Sequence, residues 1–161
     1  MDEKYMKIAL EEAQKSFQAG DVPVGAIVVC NDQIIARAHN CKEKNKNAVE
    51  HAEILAISQA CQKMNTWHLE NCTIYVTLEP CLMCAGALIQ CRIGKLVYAT
   101  ESEKFGYVGS ISNVLDNKNN NHHPIIVKNV CKESSQKLLK DFFKELMPNA
   151  QMSVKLISKP Q

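Results

Sequence analysis

The sequence predicts an α/β sandwich built on a mixed sheet, and three observations carry that reading. An amphipathic helical pattern opens the chain and leads into a hairpin of β-branched runs. Beyond the hairpin, short apolar runs alternate with stretches of helical periodicity. The 161 residues show no internal repeat and no linker, which suits one domain with a continuous core.

The elements follow in order. Over residues 3–18, Met6, Leu10, Ala13 and Phe17 recur at helical spacing, and Gly20 supplies a stop. Val24-Gly25-Ala26-Ile27-Val28-Val29 is too short for a helix and rich in β-branched residues, so it reads as a strand. Asn31-Asp32 turns it, and residues 33–38 return as the second strand of a hairpin. Residues 40–47 are polar and lysine-rich, hence a loop. From residue 51 to about 63 the pattern is helical, with Ile54, Leu55, Ile57 and Ala60 apolar. Thr73-Ile74-Tyr75-Val76-Thr77 is a strand. Pro80 then opens a helix over about 81–90, because a first-turn proline sacrifices no hydrogen bond. Residues 95–99 form the next strand. Residues 101–113 are a loop with Gly106 and Gly109 and a short helical turn near Ser112. The asparagine-dominated stretch 117–123 reads as mobile. Ile125-Ile126-Val127 is a last short strand. Residues 134–146 close the domain as a helix with Leu138, Leu139, Phe142, Phe143 and Leu146 on one side, stopped by Pro148. The domain is thus expected over 1–147, followed by a tail at 148–161.

Composition narrows the class. Hydrophobic residues make up 46%, an ordinary level for a globular protein. A net charge of +2 gives no strong global field, so polyanion binding has to come from local patches. The first twenty residues carry Asp2, Glu3, Lys4, Lys7, Glu11, Glu12 and Lys15, which argues against a signal-peptide core. No stretch reaches membrane-spanning length, and the expected location is the cytoplasm. Without a secretory signal, the eight cysteines fit free thiols and metal ligands better than disulfides. Cys30, Cys61, Cys72 and Cys131 have apolar neighbours and are expected to be small buried side chains.

Two short stretches carry the chemistry: His51-Ala52-Glu53 and Pro80-Cys81-Leu82-Met83-Cys84. Cys81 and Cys84, three apart in a first helical turn, share a face, and the helix dipole favours their thiolates. A lone C-x-x-C suits a redox pair or half of a structural zinc site. A structural site wants four protein ligands, and no second C-x-x-C exists here. His51 and Glu53 would point to nearly opposite faces of a regular helix, yet both can converge on an ion off its N-terminus. The natural division makes His51 a ligand and Glu53 the acid–base group. One imidazole, two thiols and a carboxylate form the set a catalytic zinc needs when it keeps a position for water.

His-Ala-Glu followed by Pro-Cys-x-x-Cys resembles the zinc cytidine/deoxycytidylate deaminase superfamily. Further runs resemble its bacterial tRNA adenosine deaminases. These are Asp21-Val22-Pro23-Val24-Gly25-Ala26, Thr77-Leu78-Glu79-Pro80-Cys81, Arg92-Ile93-Gly94, Gly109-Ser110, Asn121-His122 and Asp141-Phe142-Phe143. The resemblance extends to about Leu146. It implies a three-layer α/β/α sandwich around a five-stranded mixed sheet, cytidine deaminase-like. It assigns His51, Cys81 and Cys84 to one Zn2+ per subunit, with water as the fourth ligand, and Glu53 to proton transfer. The implied reaction is hydrolytic deamination of adenosine to inosine, with release of ammonia, at the wobble position of tRNA, above all tRNA-Arg with anticodon ACG.

The resemblance also implies substrate contacts. Asn40 is expected to hydrogen-bond the flipped nucleotide, or else simply to end a strand and turn the chain. Val24-Gly25-Ala26 and Leu78-Glu79-Pro80 are expected to wall the base pocket, with core packing as the alternative. Lys42, Lys44, Lys46 and Lys104 are candidate phosphate contacts, and Phe142 or Phe143 a stacking residue unless buried. Partners are expected to be a tRNA anticodon stem-loop and a second copy of the chain, with no membrane and no DNA. The chain departs from the family in having Ser102 where an aspartate is usual, a bulkier Phe105-Gly106-Tyr107-Val108-Gly109, Asn47-Ala48-Val49-Glu50 before His51, and no strongly basic tail. Two other readings remain: a deaminase of a free base or nucleotide (guanine, cytosine or dCMP), and a catalytically silent zinc module that only binds RNA. Glu53 argues against the latter, because such a module has no use for a carboxylate at the metal.

Overall fold

The computed structural model describes residues 1–146. The expected domain end at 147, the Pro148 stop and the 148–161 tail lie outside the described residues. The elements are α1 (Asp2–Gln18), β1 (Gly25–Cys30), β2 (Gln33–His39), α2 (Ala52–Met64), β3 (Cys72–Leu78), α3 (Leu82–Gln90), β4 (Lys95–Thr100), a 3-10 turn at Val114–Asp116, β5 (Ile125–Val127) and α4 (Lys132–Leu146).

The five strands lie in the order β2-β1-β3-β4-β5. β1 runs antiparallel to both β2 and β3, while β3, β4 and β5 run parallel. Helices α1 and α4 pack on one face and α2 and α3 on the other, giving the three layers expected. Every residue of β1 is buried, as a central strand covered on both faces must be. The hairpin closes through Asn31 and Asp32, with φ of 52° and 60°. Positive φ at both positions matches the twist of the flanking strands, and Asn and Asp tolerate it. Gly25 is required by a close approach: a Cβ there would overlap the carbonyl of Ala9 in α1.

Four expectations change. The buried face of α1 is Tyr5, Met6, Ala9, Glu12, Ala13 and Ser16, while Leu10 and Phe17 are only half-buried. Glu12 is drawn inward by Lys15 at 2.7 Å, Arg37 Nε at 3.1 Å and His39 Nδ1 at 3.1 Å, and Ser16 Oγ donates to the Asn40 carbonyl at 2.8 Å. Apolar periodicity cannot see such cross-element polar partners. The helical turn of the long loop falls at Val114–Asp116 rather than near Ser112. Residues 117–123 are tied down: Asn120 Nδ2 donates to the Val114 carbonyl at 2.8 Å, and His122 Nε2 bonds the Ile93 carbonyl at 2.7 Å.

Of the four cysteines expected inside, Cys30 and Cys72 are buried, but Cys61 and Cys131 are partly exposed. Phe142 is buried against Phe17, with ring centroids 5.6 Å apart. Among the described residues, no helix is long and apolar enough to cross a membrane.

Candidate active site

Helices α2 and α3 begin side by side. His51 is the N-cap of α2 with φ −77° and ψ 151°, and Cys81 is the N-cap of α3 with φ −73° and ψ 177°. Glu53 and Cys84 stand within the first turns. His51 therefore lies on extended backbone just ahead of the helix, and the opposite-face geometry of a regular helix does not separate it from Glu53. Each helix supplies one cap residue and one first-turn residue to the same point.

His51 Nδ1 lies 3.6 Å from the sulfurs of both Cys81 and Cys84. The three donor atoms all fall within 4.8 Å of one another, the one such cluster among the described residues. Tetrahedral bonds of about 2.3 Å to sulfur and 2.0 Å to nitrogen would set these atoms roughly 3.5 Å apart. The donors fit a metal ion of that size in both spacing and softness.

The charges fit as well. The hydrogen bond from Cys84, helped by His51 and opposed by burial, lowers the Cys81 thiol to about 4. That bond to Cys81 and burial push Cys84 well above the ordinary thiol range. Burial works to lower His51, but the Cys81 hydrogen bond and the charges of Glu53 and Cys81 outweigh it and raise its pKa. A divalent ion bound here would favour the thiolate form of both cysteines. Glu53 is fully buried, and neither carboxylate oxygen has a hydrogen-bond partner. Burial pushes it up to about 7 against the opposing charge of His51.

Asn40 is buried, and its amide joins two elements. Its Oδ1 accepts the Ala52 N–H at 2.8 Å, and its Nδ2 donates to the Val22 carbonyl at 3.2 Å. It thus caps α2 from outside, where His51 offers no side-chain cap. One Nδ2 hydrogen remains beyond these two bonds. Val24, Ala26 and Leu78 all belong to the core cluster on the α2 and α3 face of the sheet.

Ser102 is half-buried and donates its N–H to Glu79 Oε1 at 3.1 Å, whereas Lys104 is exposed on the same loop. Lys44 and Lys46 are exposed and Lys42 is partly buried. Their loop is anchored by buried Asp21, whose carboxylate accepts the N–H groups of Glu43 at 2.6 Å and Lys44 at 3.1 Å.

Residues 1–147 match the MafB19-like deaminase family model. A tRNA-specific adenosine deaminase of Bacillus subtilis (strain 168) is 43% identical over 157 residues, covering 98% of either chain. The chain belongs to the tRNA-specific adenosine deaminase family. Another member, from Aquifex aeolicus (strain VF5), is 46% identical over 147 residues, covering 91% of this chain and 97% of its own. Among solved structures, a chain from work on A-to-I editing by tRNA:A34 deaminases at the wobble position superposes with a TM-score of 0.81. It is 33% identical and covers 84% of this chain and 99% of that one.

In this deaminase the fold brings His51, Cys81 and Cys84 to one point, buries Glu53 beside them and sets Asn40 against the first turn of α2. It keeps Lys104 on the surface. Two anchors escape sequence reading. Asp21 lies in a run that resembles the family, but nothing in its spacing shows that it holds the lysine loop. Glu79 lies in Leu78-Glu79-Pro80, and its four bonds all reach across 23 to 31 residues.

Proposed function

We propose that this chain deaminates adenosine to inosine at the wobble position of a tRNA, with the ACG anticodon of tRNA-Arg as its first candidate. The observation that carries the reading is the unpartnered, fully buried Glu53 carboxylate beside three convergent metal-ligand atoms. A purely structural metal site has no use for such a group. The full-length likeness to tRNA-specific adenosine deaminases supports the choice of base and polymer.

In this reading His51 Nδ1 and the thiolates of Cys81 and Cys84 hold one Zn2+ per subunit. When bound, zinc supplies the Lewis acidity that brings water into the hydroxide range near neutral pH. Glu53 would take one proton of the attacking water and deliver it to a ring nitrogen of adenine; it would then take the proton of the new C6 hydroxyl and pass it to the amine as the C6–N bond breaks. Adenosine and water become inosine and ammonia. Asn40 spends its remaining Nδ2 hydrogen on the flipped nucleotide while capping α2. Val24, Ala26 and Leu78 wall the base pocket, and Ser102 and Lys104 meet the RNA backbone. Residues 1–147 form the one deaminase domain. The enzyme works as a cytoplasmic homodimer on a tRNA anticodon stem-loop and takes no DNA.

The test is direct. Purified, zinc-loaded protein is given an ACG-anticodon transcript and, separately, guanine, cytosine and dCMP. Inosine in the transcript, read as G after reverse transcription, is the expected result. Ammonia from a free base or nucleotide alone would overturn the reading.

A further inference from the structure

A second buried carboxylate stands just past β3, two residues ahead of Cys81. Glu79 is fully buried, and its own N–H donates to the Thr100 carbonyl at 2.8 Å. Oε1 accepts the Ser102 N–H at 3.1 Å and the Ser110 hydroxyl. Oε2 accepts the N–H groups of Val108 at 3.0 Å and Ser110 at 3.1 Å. All four donors are neutral groups from residues 102–110, the loop that follows β4.

The loop closes tightly on this carboxylate. Gly106 lies against it, and a Cβ at that position would overlap the carboxylate atoms. Gly106 N–H donates to the Ser102 carbonyl at 2.8 Å, and Ile111 N–H to the Gly106 carbonyl at 2.9 Å. Tyr107 N–H donates to the Pro80 carbonyl at 3.0 Å, which ties the loop to the residue before Cys81. Apart from one bridge between Val108 and Asn113, the loop has no strand partner. The carboxylate stands in for a strand by satisfying amides that would otherwise be stranded.

We propose that Glu79 is a positioning residue: its carboxylate shapes residues 102–110 into the wall beside the metal cluster, and so sets RNA affinity without touching the reacting atoms. The consequence for RNA rests on the function proposed above. The shaping of the loop does not. Glu79→Gln tests it sharply, because the side chain keeps its size while one oxygen becomes an NH2. That group then confronts N–H or O–H donors, and the loop loses its template.

The experiment compares metal-loaded wild type with Glu79→Gln by amide hydrogen exchange, metal content and kinetics on an anticodon stem-loop RNA. Exchange at Ser102, Val108 and Ser110 is expected to quicken at least about tenfold, with β3 and β4 unchanged. Metal should stay near one ion per chain. KM should rise about tenfold with kcat within about threefold, and Glu79→Asp, which remains an acceptor, should fall between. Unchanged exchange at these amides, or a fall in kcat with KM unmoved, would overturn the proposal. A wild-type chain inert on RNA would sink the tRNA reading, while the exchange result would still decide what Glu79 holds. If Glu79→Gln does not fold, Ser110→Ala and Gly106→Ala disturb the same contact from the loop side. A raised KM in them supports the proposal, and an unchanged KM in both overturns it.

Discussion

Glu53 and Glu79 are both fully buried carboxylates at the same end of the sheet, and the fold treats them in opposite ways. Glu79 receives four hydrogen bonds from one loop, whereas the Glu53 carboxylate faces the ionisable groups of the metal cluster, His51, Cys81 and Cys84. Burial raises the Glu53 pKa to about 7, so the group can take and give a proton near neutrality. A buried charge saturated by loop amides is structural. The difference separates a group free to take and give protons from a group that holds a loop in shape.

The largest expected effect breaks the comparison at Glu53. Glu53→Gln should lower turnover by about a thousandfold or more while metal content stays near one ion per chain. Its thermal midpoint should stay close to that of the wild type, since Gln keeps the size of the buried side chain. A variant that unfolds, or one that keeps full activity, would refute the contrast. Cys84→Ser tests the neighbouring ligand. It should abolish activity together with bound metal, as measured by metal analysis, and lower the thermal midpoint, because metal binding adds to folding stability.

Asn40→Ala removes the external cap of α2 and the tie to Val22. It should cost about 1–2 kcal/mol in denaturant unfolding and reduce activity as the first turn loosens. Another buried carboxylate, Glu12, sharpens the comparison at α1. Burial alone would raise its pKa, but hydrogen bonds from Lys15 and His39 and the charges of Lys15 and Arg37 hold it below the ordinary carboxylate value. A depressed folded pKa contributes stability that is present above the unfolded value and lost as pH falls through the folded one. Below about pH 5 the wild type should therefore lose stability more steeply than Glu12→Gln in pH-dependent unfolding. The smallest effect is expected at the surface. Lys104→Ala should raise KM for RNA only about two- to fivefold, and less in high salt, because an exposed charge is screened.

Much of the fold was legible because it is written in local periodicity. The hairpin announced itself through Asn31-Asp32 between β-branched runs, and Pro80 marked the start of α3 within two residues. The burial of Glu12 and Ser16 does not show in apolar periodicity, because it depends on Arg37, His39 and the Asn40 carbonyl, which sequence distance hides. Residues 117–123 looked unstructured by composition, but Asn120 and His122 spend their side chains on carbonyls at Val114 and Ile93.

The sequence by itself determined the donor set: one imidazole, two thiols three apart and a carboxylate, in an order and spacing that mark a deaminase. Such chemistry depends on residue type and helical register, and both are local. Tertiary structure decided which buried carboxylate stays unpaired. Glu53 and Glu79 are equally acidic letters in the chain. Only the fold sends the amides of Ser102, Val108 and Ser110 to one of them and leaves the other facing the metal ligands alone.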